Sequence, residues 1–340
     1  MVSAAAKHID GSDAVRRPTG PRVFASVLTF ALSTLLCASL HPAAADDYPA
    51  RPITLIVPFP AGGGVDGAGR VIAQKLTAAL GQQVIVENRP GAGSVIGTRT
   101  AARAEPDGYT LLMMVTGVGI PPNTGYDVAK DFAAISLISS VPIVVMANPS
   151  VPVNSIADVI AYAKKEPGKL TVGTPPPPTL NYFGAEQFKS MTGTDITIVT
   201  YKGTGPLTND LVGGHVMVGF NTLAPAIGNI QAGKLRAIAV AAPERLKGIP
   251  DVPTVAESGL PGLDIVQYYG LAAPAGTPRA IVDRLNKELR AIVTSDEVNT
   301  RFVSDGGAPM ASTPEDYAAN IAREEGKWAE LIKKLGLKVE

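Results

Sequence analysis

The stretch "PFPAGGGVDGAGR", residues 58–70, follows an apolar run at residues 53–57 and leads into a pattern of helical periodicity. Gly62, Gly64 and Gly67 within it have the spacing G-x-G-x-x-G. Glycines let the backbone turn tightly with its N–H groups facing outward, and the start of a helix adds partial positive charge. The stretch therefore predicts a strand, a turn and a helix that together hold an anion.

The same spacing is also the fingerprint of dinucleotide-binding folds, and Glu87 lies about twenty residues further on, where such folds place an acid for the ribose. The alternative prediction is thus a nucleotide-dependent oxidoreductase. Two details favour a different anion. Pro60 and Ala61 separate the strand from the first glycine, and Arg89 is placed to pair with Glu87. A Walker phosphate loop is absent, because no Lys-Ser/Thr pair follows the glycines.

The first 45 residues differ from the rest of the chain. Three arginines precede the apolar run "VFASVLTFALSTLLCASL", and an A-x-A step follows it. This order is typical of a secretory signal. A transmembrane anchor is the alternative, but the run is at the short edge for a span and contains serines. We expect residues 1–45 to be a signal peptide that is cleaved near Ala45, and the mature protein to be periplasmic.

Composition and side-chain chemistry exclude several classes of function. The chain has 340 residues, enough for two domains, and its 30 basic and 30 acidic residues form no basic block, which argues against a nucleic-acid partner. Cys37 leaves with the predicted signal. His215 has no neighbouring cysteine or histidine, and Ser94 is not part of a G-x-S-x-G nucleophile elbow. We expect no catalytic residue, no metal site and no cofactor, and hence no enzyme.

Strand and helix patterns alternate along the mature chain, which indicates an α/β fold with mostly parallel sheets flanked by helices. The alternation restarts after residue 150, and the chain crosses between the two units near residues 140–150 and 265–275. We therefore predict two lobes around a cleft. The first comprises residues 46–147 with 268–340, and the second comprises residues 148–267.

Several segments, in order along nearly the whole mature chain, resemble the Bug-type periplasmic solute-binding proteins of tripartite tricarboxylate transporters. They include "YPARPITLIVPFPAGGGVDGAGRVIAQKL", "GQQVIVENRPGAGSVIGT", "YKGTGPLTNDLVGGHV", "DVPTVAESGLPG" and "GLAAPAGTP". The resemblance implies a Venus flytrap receptor, acting as a monomer, that captures a small carboxylate. The ligand classes considered are di- or tricarboxylates, aromatic acids and amino-acid-like acids. Such a receptor delivers its ligand to membrane permease subunits without chemistry. An exported ligand-sensing module for a signalling partner remains an alternative.

The resemblance also implies which residues form the ligand site. Backbone N–H groups of the first glycine-rich loop grip a carboxylate, with Asp66 and Arg70 in structural positions beside it. The second-lobe loop is "TPPPPTLN", whose four prolines supply no N–H donors, so its hydrogen-bonding side chains are candidates. Asn221 stands where the family usually has an acid. The expected ligand contacts are Ala61, Gly62, Gly63, Gly64, Thr116, Thr174, Thr179, Asn181, Asn221 and Tyr268.

Overall fold

The computed structural model of the chain describes residues 48–117 and 124–337. The predicted signal peptide and its cleavage site lie outside these residues, and no helix within them is long and apolar enough to cross a membrane. The strands are β1 Ile53–Val57, β2 Val84–Asn88, β3 Thr110–Val115, β4 Phe132–Ala147, β5 Thr171–Thr174, β6 Thr197–Thr200, β7 Val218–Asn221, β8 Arg236–Ala241, β9 Val266–Pro274 and β10 Ala308–Pro309. The helices are α1 Gly64–Leu80, α2 Val95–Ala102, α3 Val128–Asp131, α4 Ile156–Lys165, α5 Leu180–Thr192, α6 Thr204–Val212, α7 Ile227–Gln231, α8 Arg279–Val293, α9 Asp296–Ser304 and α10 Pro314–Leu335.

Strand order places parallel strands at both ends of the molecule. The order is β2-β1-β3-β9-β4-β7-β5-β6, with β8 and β10 also paired to β4. The pairs β1–β2, β1–β3, β5–β6 and β5–β7 are parallel. The middle of the order is different, because β9 and β4 run antiparallel to their neighbours. The sheets are therefore mixed, which sequence alternation alone did not indicate.

Strand β4 is shared by two sheets. Its residues 132–142 pair with β9, and its residues 144–147 pair with β7. We call the part built on β1, β2, β3, β9 and the first half of β4 the first lobe, and the part built on β5 to β8 the second lobe. One continuous strand thus runs from lobe to lobe. The residue boundaries expected from the sequence stay a prediction.

Helix α1 forms because its apolar side chains recur on one face. Val65, Ile72, Leu76 and Leu80 are all buried in the core of the first lobe, at the spacing that aligns side chains along a helix. The helix ends at Gly81, whose left-handed backbone (φ 70°) lets its N–H donate to the Thr77 carbonyl. This fixes the direction of α1, so its first turn lies at the carboxyl end of β1.

Helix α10 packs against both lobes. Tyr317 is buried in an apolar cluster of the first lobe, and Trp328 is buried in the core of the second. The Tyr317 ring lies directly over Gly270 of β9, where a Cβ would be 2.2 Å from the ring carbon Cζ. Residue 270 must therefore be glycine, because the Tyr317 ring leaves no room for a side chain. This contact fixes the position of β9 against α10.

We expect the substitution Gly270→Ala to lower the free energy of unfolding by about 1–3 kcal/mol, because a methyl group cannot share the space of the buried Tyr317 ring. Urea unfolding at neutral pH measures this change. Gly326→Ala in α10 is the control, since a Cβ there meets nothing within 4 Å and the residue is exposed. It should leave stability unchanged or raise it by up to about 1 kcal/mol. Equal stability of Gly270→Ala and wild type would contradict the packing argument.

Candidate ligand-binding site

A small cavity lies between the two lobes, at the carboxyl ends of β1, β3 and β5, where open α/β sheets bind ligands. It has about 20 Å³ of free space. Both lobes contribute to its wall. The lining residues are Phe59, Pro60, Gly63, Val65, Val115, Pro175, Thr179, Asn181, Gly203, Thr204, Gly205, Gln267 and Tyr269.

Three helices begin at this cavity without a side-chain cap. The residues that precede α1, α5 and α6 are Gly63, Thr179 and Gly203, and none of their side chains accepts a hydrogen bond from its own helix. By contrast, Thr313 at the start of α10 accepts one from the Asp316 N–H. Uncapped helix starts leave backbone N–H groups available to a ligand. The three starts together form an anion-binding arrangement built from backbone.

No Lys, Arg, Asp, Glu or His is among the described residues that line the cavity. The positive potential there comes from helix dipoles and N–H groups rather than from formal charges. Such an arrangement favours an anion through directed hydrogen bonds. Tyr269 is the one titratable side chain among the described residues of this wall, so the wall offers little for acid–base chemistry.

The two lobes approach each other closely at the cavity, where glycines leave room. A Cβ on Gly63 would lie 2.8 Å from Thr204 Oγ1, and a Cβ on Gly205 would lie 3.3 Å from the carbonyl oxygen of Gly62. The N–H of Gly64 points at Thr204 Oγ1, 3.4 Å away. The two glycine-rich helix starts therefore face each other at backbone distance across the cleft.

Two hydroxyl groups are buried above the first turn of α1. A Cβ on Gly64 would lie 3.0 Å from Thr222 Oγ1 and 3.3 Å from the Tyr269 hydroxyl. Neither hydroxyl, nor that of Thr174 at the end of β5, has a hydrogen-bond partner among the described residues. Burial raises the pKa of Tyr269, so its hydroxyl stays protonated and can donate. Buried hydroxyls without protein partners are suited to a ligand.

The side-chain amides of Gln267 and Asn181 line the cavity and are hydrogen-bonded to each other. The Gln267 Nε2 donates to Asn181 Oδ1 at 2.7 Å, and the Asn181 Nδ2 donates to the Phe220 carbonyl at 2.9 Å. Both amides are buried. Because Gln267 lies on β9 and Asn181 on α5, this chain of bonds joins the two lobes beside the cleft.

Comparison with known proteins agrees with this geometry. Residues 68–337 match the family model described as "Tripartite tricarboxylate transporter family receptor". The chain belongs to this family. Protein BugT of Bordetella pertussis is 36% identical over 305 residues, which cover 88% of this chain and 94% of BugT. The resemblance to Bug-type receptors is thereby confirmed.

Two solved structures are similar over most of the receptor. R. palustris Rpa4515 with adipate is 34% identical with a TM-score of 0.82, covering 85% of this chain and 99% of that one. MatC from Rhodopseudomonas palustris with bound malate is 30% identical with a TM-score of 0.79, covering 84% of this chain and 100% of that one. The expected fold class, a two-lobe α/β periplasmic-binding-protein architecture, is confirmed.

The structure brings only part of the first glycine-rich loop to the cavity. Gly63 lines it, and Gly64 lies against the two unpartnered hydroxyls. Ala61 and Gly62 are exposed, and the Gly62 N–H donates to Asp66 Oδ2 at 2.9 Å. The Gly62 N–H is therefore already used within the receptor.

Of the candidates in the second lobe and at the ends of strands, Thr179 and Asn181 line the cavity. Thr174 is fully buried and does not line the cavity, and its hydroxyl has no hydrogen-bond partner among the described residues. Thr116 Oγ1 and N–H both point at the Tyr268 carbonyl, at 3.4 and 3.0 Å. Asn221 Nδ2 donates to Thr208 Oγ1 at 2.8 Å, which ties β7 to α6. Thr116 and Asn221 thus make internal bonds.

The aromatic residue in the cleft is Tyr269, whereas sequence reasoning selected Tyr268. Successive side chains of a strand point to opposite faces, so Gln267 and Tyr269 share the cleft face of β9. Tyr268 lies on the other face, in a separate surface pocket with Pro142 and Met310. The sequence "YY" gives no sign of this, because both rings suit a strand.

Sequence reasoning also missed the start of α6. Gly203, Thr204 and Gly205 line the cavity, and the signal for them was present. A G-x-G turn between an apolar run and a helical pattern repeats the arrangement of the first loop.

The residues of the dinucleotide fingerprint serve other purposes. Glu87 Oε1 accepts a hydrogen bond from Arg89 Nε at 2.7 Å on the surface. This is the pairing with Arg89 that the sequence indicated in place of ribose binding. His215 is likewise an exposed residue near Asp210. The side chain that a ribose would need is therefore engaged in a surface ion pair.

Asp66 holds the turn before α1. This buried carboxylate accepts from the Gly62 N–H, from Arg70 Nε at 3.0 Å and from Asn88 Nδ2 at 2.9 Å. Burial alone would raise the pKa of Asp66, but the bonds from Arg70, Gly62 and Asn88 outweigh it and keep the pKa below its usual range. The Asp66 carboxylate is thus held by three hydrogen-bond donors, and it shapes the turn before α1.

We expect Asp66→Asn to lower the free energy of unfolding at neutral pH by about 1–3 kcal/mol, since it breaks charge-assisted bonds at a buried site. A carboxyl whose folded-state pKa is lowered stabilises the fold above its unfolded pKa of about 3.9. That stabilisation is lost as the pH falls through the folded value. The difference between wild type and variant should therefore shrink as the pH drops below about 4.

Urea unfolding of both proteins across this pH range measures the effect. Glu87→Gln is the control, because its pair with Arg89 is as short but exposed, and surface pairs contribute about 0–1 kcal/mol. A difference for Asp66→Asn that stays constant down to strongly acidic pH would overturn the assignment.

Proposed function

We propose that this receptor is exported to the periplasm, binds a small carboxylate between its lobes and delivers it to permease subunits of a tripartite tricarboxylate-type transporter. Binding involves no chemical conversion of the ligand. The observation that carries the proposal is the convergence of three uncapped helix starts on one interlobe cavity. A carboxylate placed there accepts hydrogen bonds from both lobes, and so favours their approach.

We propose that the hydroxyls near α1 donate to those acceptor sites of the ligand carboxylate that the helix N–H groups leave free. A carboxylate has two oxygens with about four acceptor sites. The N–H groups at the start of α1 serve some of them, and Tyr269 and Thr222 are within reach of the same place. The ligands of related structures, adipate and malate, are both small dicarboxylates. We propose a member of the same chemical class, held at one carboxylate by this cradle.

Delivery distinguishes transport from sensing. A transport receptor releases its ligand to permease subunits, whereas a sensing module passes a ligand-dependent shape to a signalling protein. The family to which the chain belongs favours the first role. Pull-down from a membrane extract, with and without ligand, separates the two by the class of protein recovered. We propose that the receptor acts as a monomer.

The first test is a thermal-shift screen of the purified protein against mono-, di- and tricarboxylates, aromatic acids and amino acids, with NAD and NADP alongside. By mass action, a ligand at about 100 times its dissociation constant adds about 2.7 kcal/mol to stability. That raises the melting temperature by about 4 °C for a chain of this size. We expect a shift with carboxylates. A shift with NAD or NADP alone would mean that the G-x-G-x-x-G stretch binds a dinucleotide, as in a nucleotide-dependent oxidoreductase.

Tyr269→Phe separates ligand binding from stability. The hydroxyl has no partner among the described residues, so its removal should leave the free energy of unfolding unchanged or raise it by up to about 1 kcal/mol. Affinity for the carboxylate should fall about tenfold, the equivalent of one hydrogen bond to a charged group. Calorimetric titration and urea unfolding measure the two quantities.

Tyr317→Phe is the matched control. Its hydroxyl is equally buried and also lacks a partner among the described residues, but Tyr317 belongs to α10 and packs against Gly270 rather than at the cavity. It should have the same effect on stability and none on affinity. If both variants bind like wild type, Tyr269 is not a ligand contact.

A further inference from the structure

A second, larger space adjoins the ligand cavity. It has about 530 Å³ of free space, against about 20 Å³ in the cavity. The two share part of their wall, since Phe59, Pro60, Pro175 and Thr179 line both. We call this space the proline groove. Its wall away from the cavity includes Pro90, Ala92, Pro176, Lys202 and Pro206.

Size limits what the cavity itself takes. A cavity needs about 10–15 Å³ of this kind of space for a single water molecule, so about 20 Å³ accommodates little beyond one polar group. The pocket on the other side of Gly64 and Tyr269 is equally small, at about 20 Å³. A carbon chain that continues from a carboxylate at the helix starts therefore finds its room in the proline groove.

The walls of the groove are apolar and come from both lobes. Pro90 and Ala92 precede α2 in the first lobe, and Pro175, Pro176 and Pro206 belong to the second. Proline has no N–H group and offers a ligand hydrocarbon surface rather than donors. Apolar surface removed from water between such walls stabilises a complex in proportion to its area. The groove thus suits a hydrocarbon or aromatic body better than a hydroxylated one.

The turn at Gly93 presses the two walls together. A Cβ on Gly93 would lie 2.7 Å from the carbonyl oxygen of Pro177. Beside it, Ala92 (φ 46°) and Ser94 (φ 100°) have left-handed backbone conformations that non-glycine residues rarely adopt. Such conformations are unfavourable and concentrate at ligand clamps. The turn therefore holds the first-lobe wall of the groove close to its second-lobe wall.

One cation stands at the groove. Lys202 is exposed, and the described residues that line the groove include no acidic side chain. A ligand whose far end carries a second carboxylate gains attraction to Lys202, of modest size because the ammonium group is solvated. This charge favours a diacid over a monoacid of equal length.

We propose that the proline groove is the specificity subsite of this receptor, and that the ligand is a dicarboxylate with an extended apolar or aromatic body. This rests on the proposed function, in that one carboxylate lies at the three helix starts. The body then fills the groove and the second carboxylate meets Lys202. Short acids bind the cradle alone and are held more weakly.

The test is calorimetric titration of the purified protein with succinate, suberate, terephthalate and octanoate at physiological ionic strength. We expect suberate and terephthalate to bind at least about tenfold more tightly than succinate. Pro206→Glu places a carboxylate in the groove at a position in the first turn of α6, where an acid is compatible with the helix. It should weaken suberate, terephthalate and octanoate about tenfold while changing succinate by less than about threefold.

Two further variants complete the design. Lys202→Gln should weaken suberate about threefold without affecting octanoate, and Lys169→Gln, an exposed lysine away from the groove, should change neither.

The outcomes separate the two proposals. Absence of binding by any carboxylate overturns the proposed function and the subsite with it. Binding of succinate as tightly as suberate and terephthalate overturns the subsite alone. So does a Pro206→Glu variant that weakens short and long acids equally, or that weakens none of them.

Discussion

Backbone N–H groups in the first turn of an α-helix have no acceptor within that helix. In this receptor three such turns, those of α1, α5 and α6, meet at one cavity, and none is closed by a side chain. Apart from the long contact of the Gly64 N–H with Thr204 Oγ1, at 3.4 Å, the residues that precede these helices supply no side-chain acceptor for their N–H groups. Since α1 belongs to one lobe and α5 and α6 to the other, an anion between them is bonded from both sides. Under the proposed function, binding of the anion therefore favours the approach of the lobes.

The convergence depends on elements that fix the lobes relative to each other. Strand β4 runs through both sheets, and α10 places Tyr317 in one core and Trp328 in the other. Both rings approach glycines closely. A Cβ on Gly270 would lie 2.2 Å from Tyr317, and a Cβ on Gly117 would lie 2.7 Å from Trp328 Cδ1. The region where α10 contacts both lobes is therefore densely packed.

The parts of the fold that the sequence predicts well are local. The strand, glycine turn and helix at residues 53–80 follow from apolar periodicity and turn chemistry within one stretch. The choice between Tyr268 and Tyr269 depends on the register of β9 against β3 and β4, which are distant in sequence. The internal bonds of Asn221 depend likewise on where α6 packs. Side chains of the right chemistry are visible in a sequence, but the face on which they lie depends on tertiary pairing.

The mixture of parallel and antiparallel strands likewise depends on tertiary pairing. Alternation of strands and helices favours parallel pairing, and β1, β2, β3 and β5, β6, β7 follow that rule. Strands β4 and β9 run antiparallel to their sheet neighbours, and nothing in the alternation of strands and helices indicates that direction. Their antiparallel direction lets each return from one lobe to the other.

Asp66 raises an electrostatic question for an anion site. Its carboxylate lies in the first turn of α1, beside the place where the ligand's charge is expected, and an uncompensated negative charge there would repel an anion. Arg70 removes that conflict, because its guanidinium contacts both carboxylate oxygens, at 3.0 Å each. The pair is close to neutral at the cavity, while Asp66 still binds the Gly62 N–H and shapes the turn. A neutral pair beside uncapped N–H groups leaves the helix dipole as the dominant field, so the proposed cradle would select anions by geometry and hydrogen bonding without a cationic side chain in its wall.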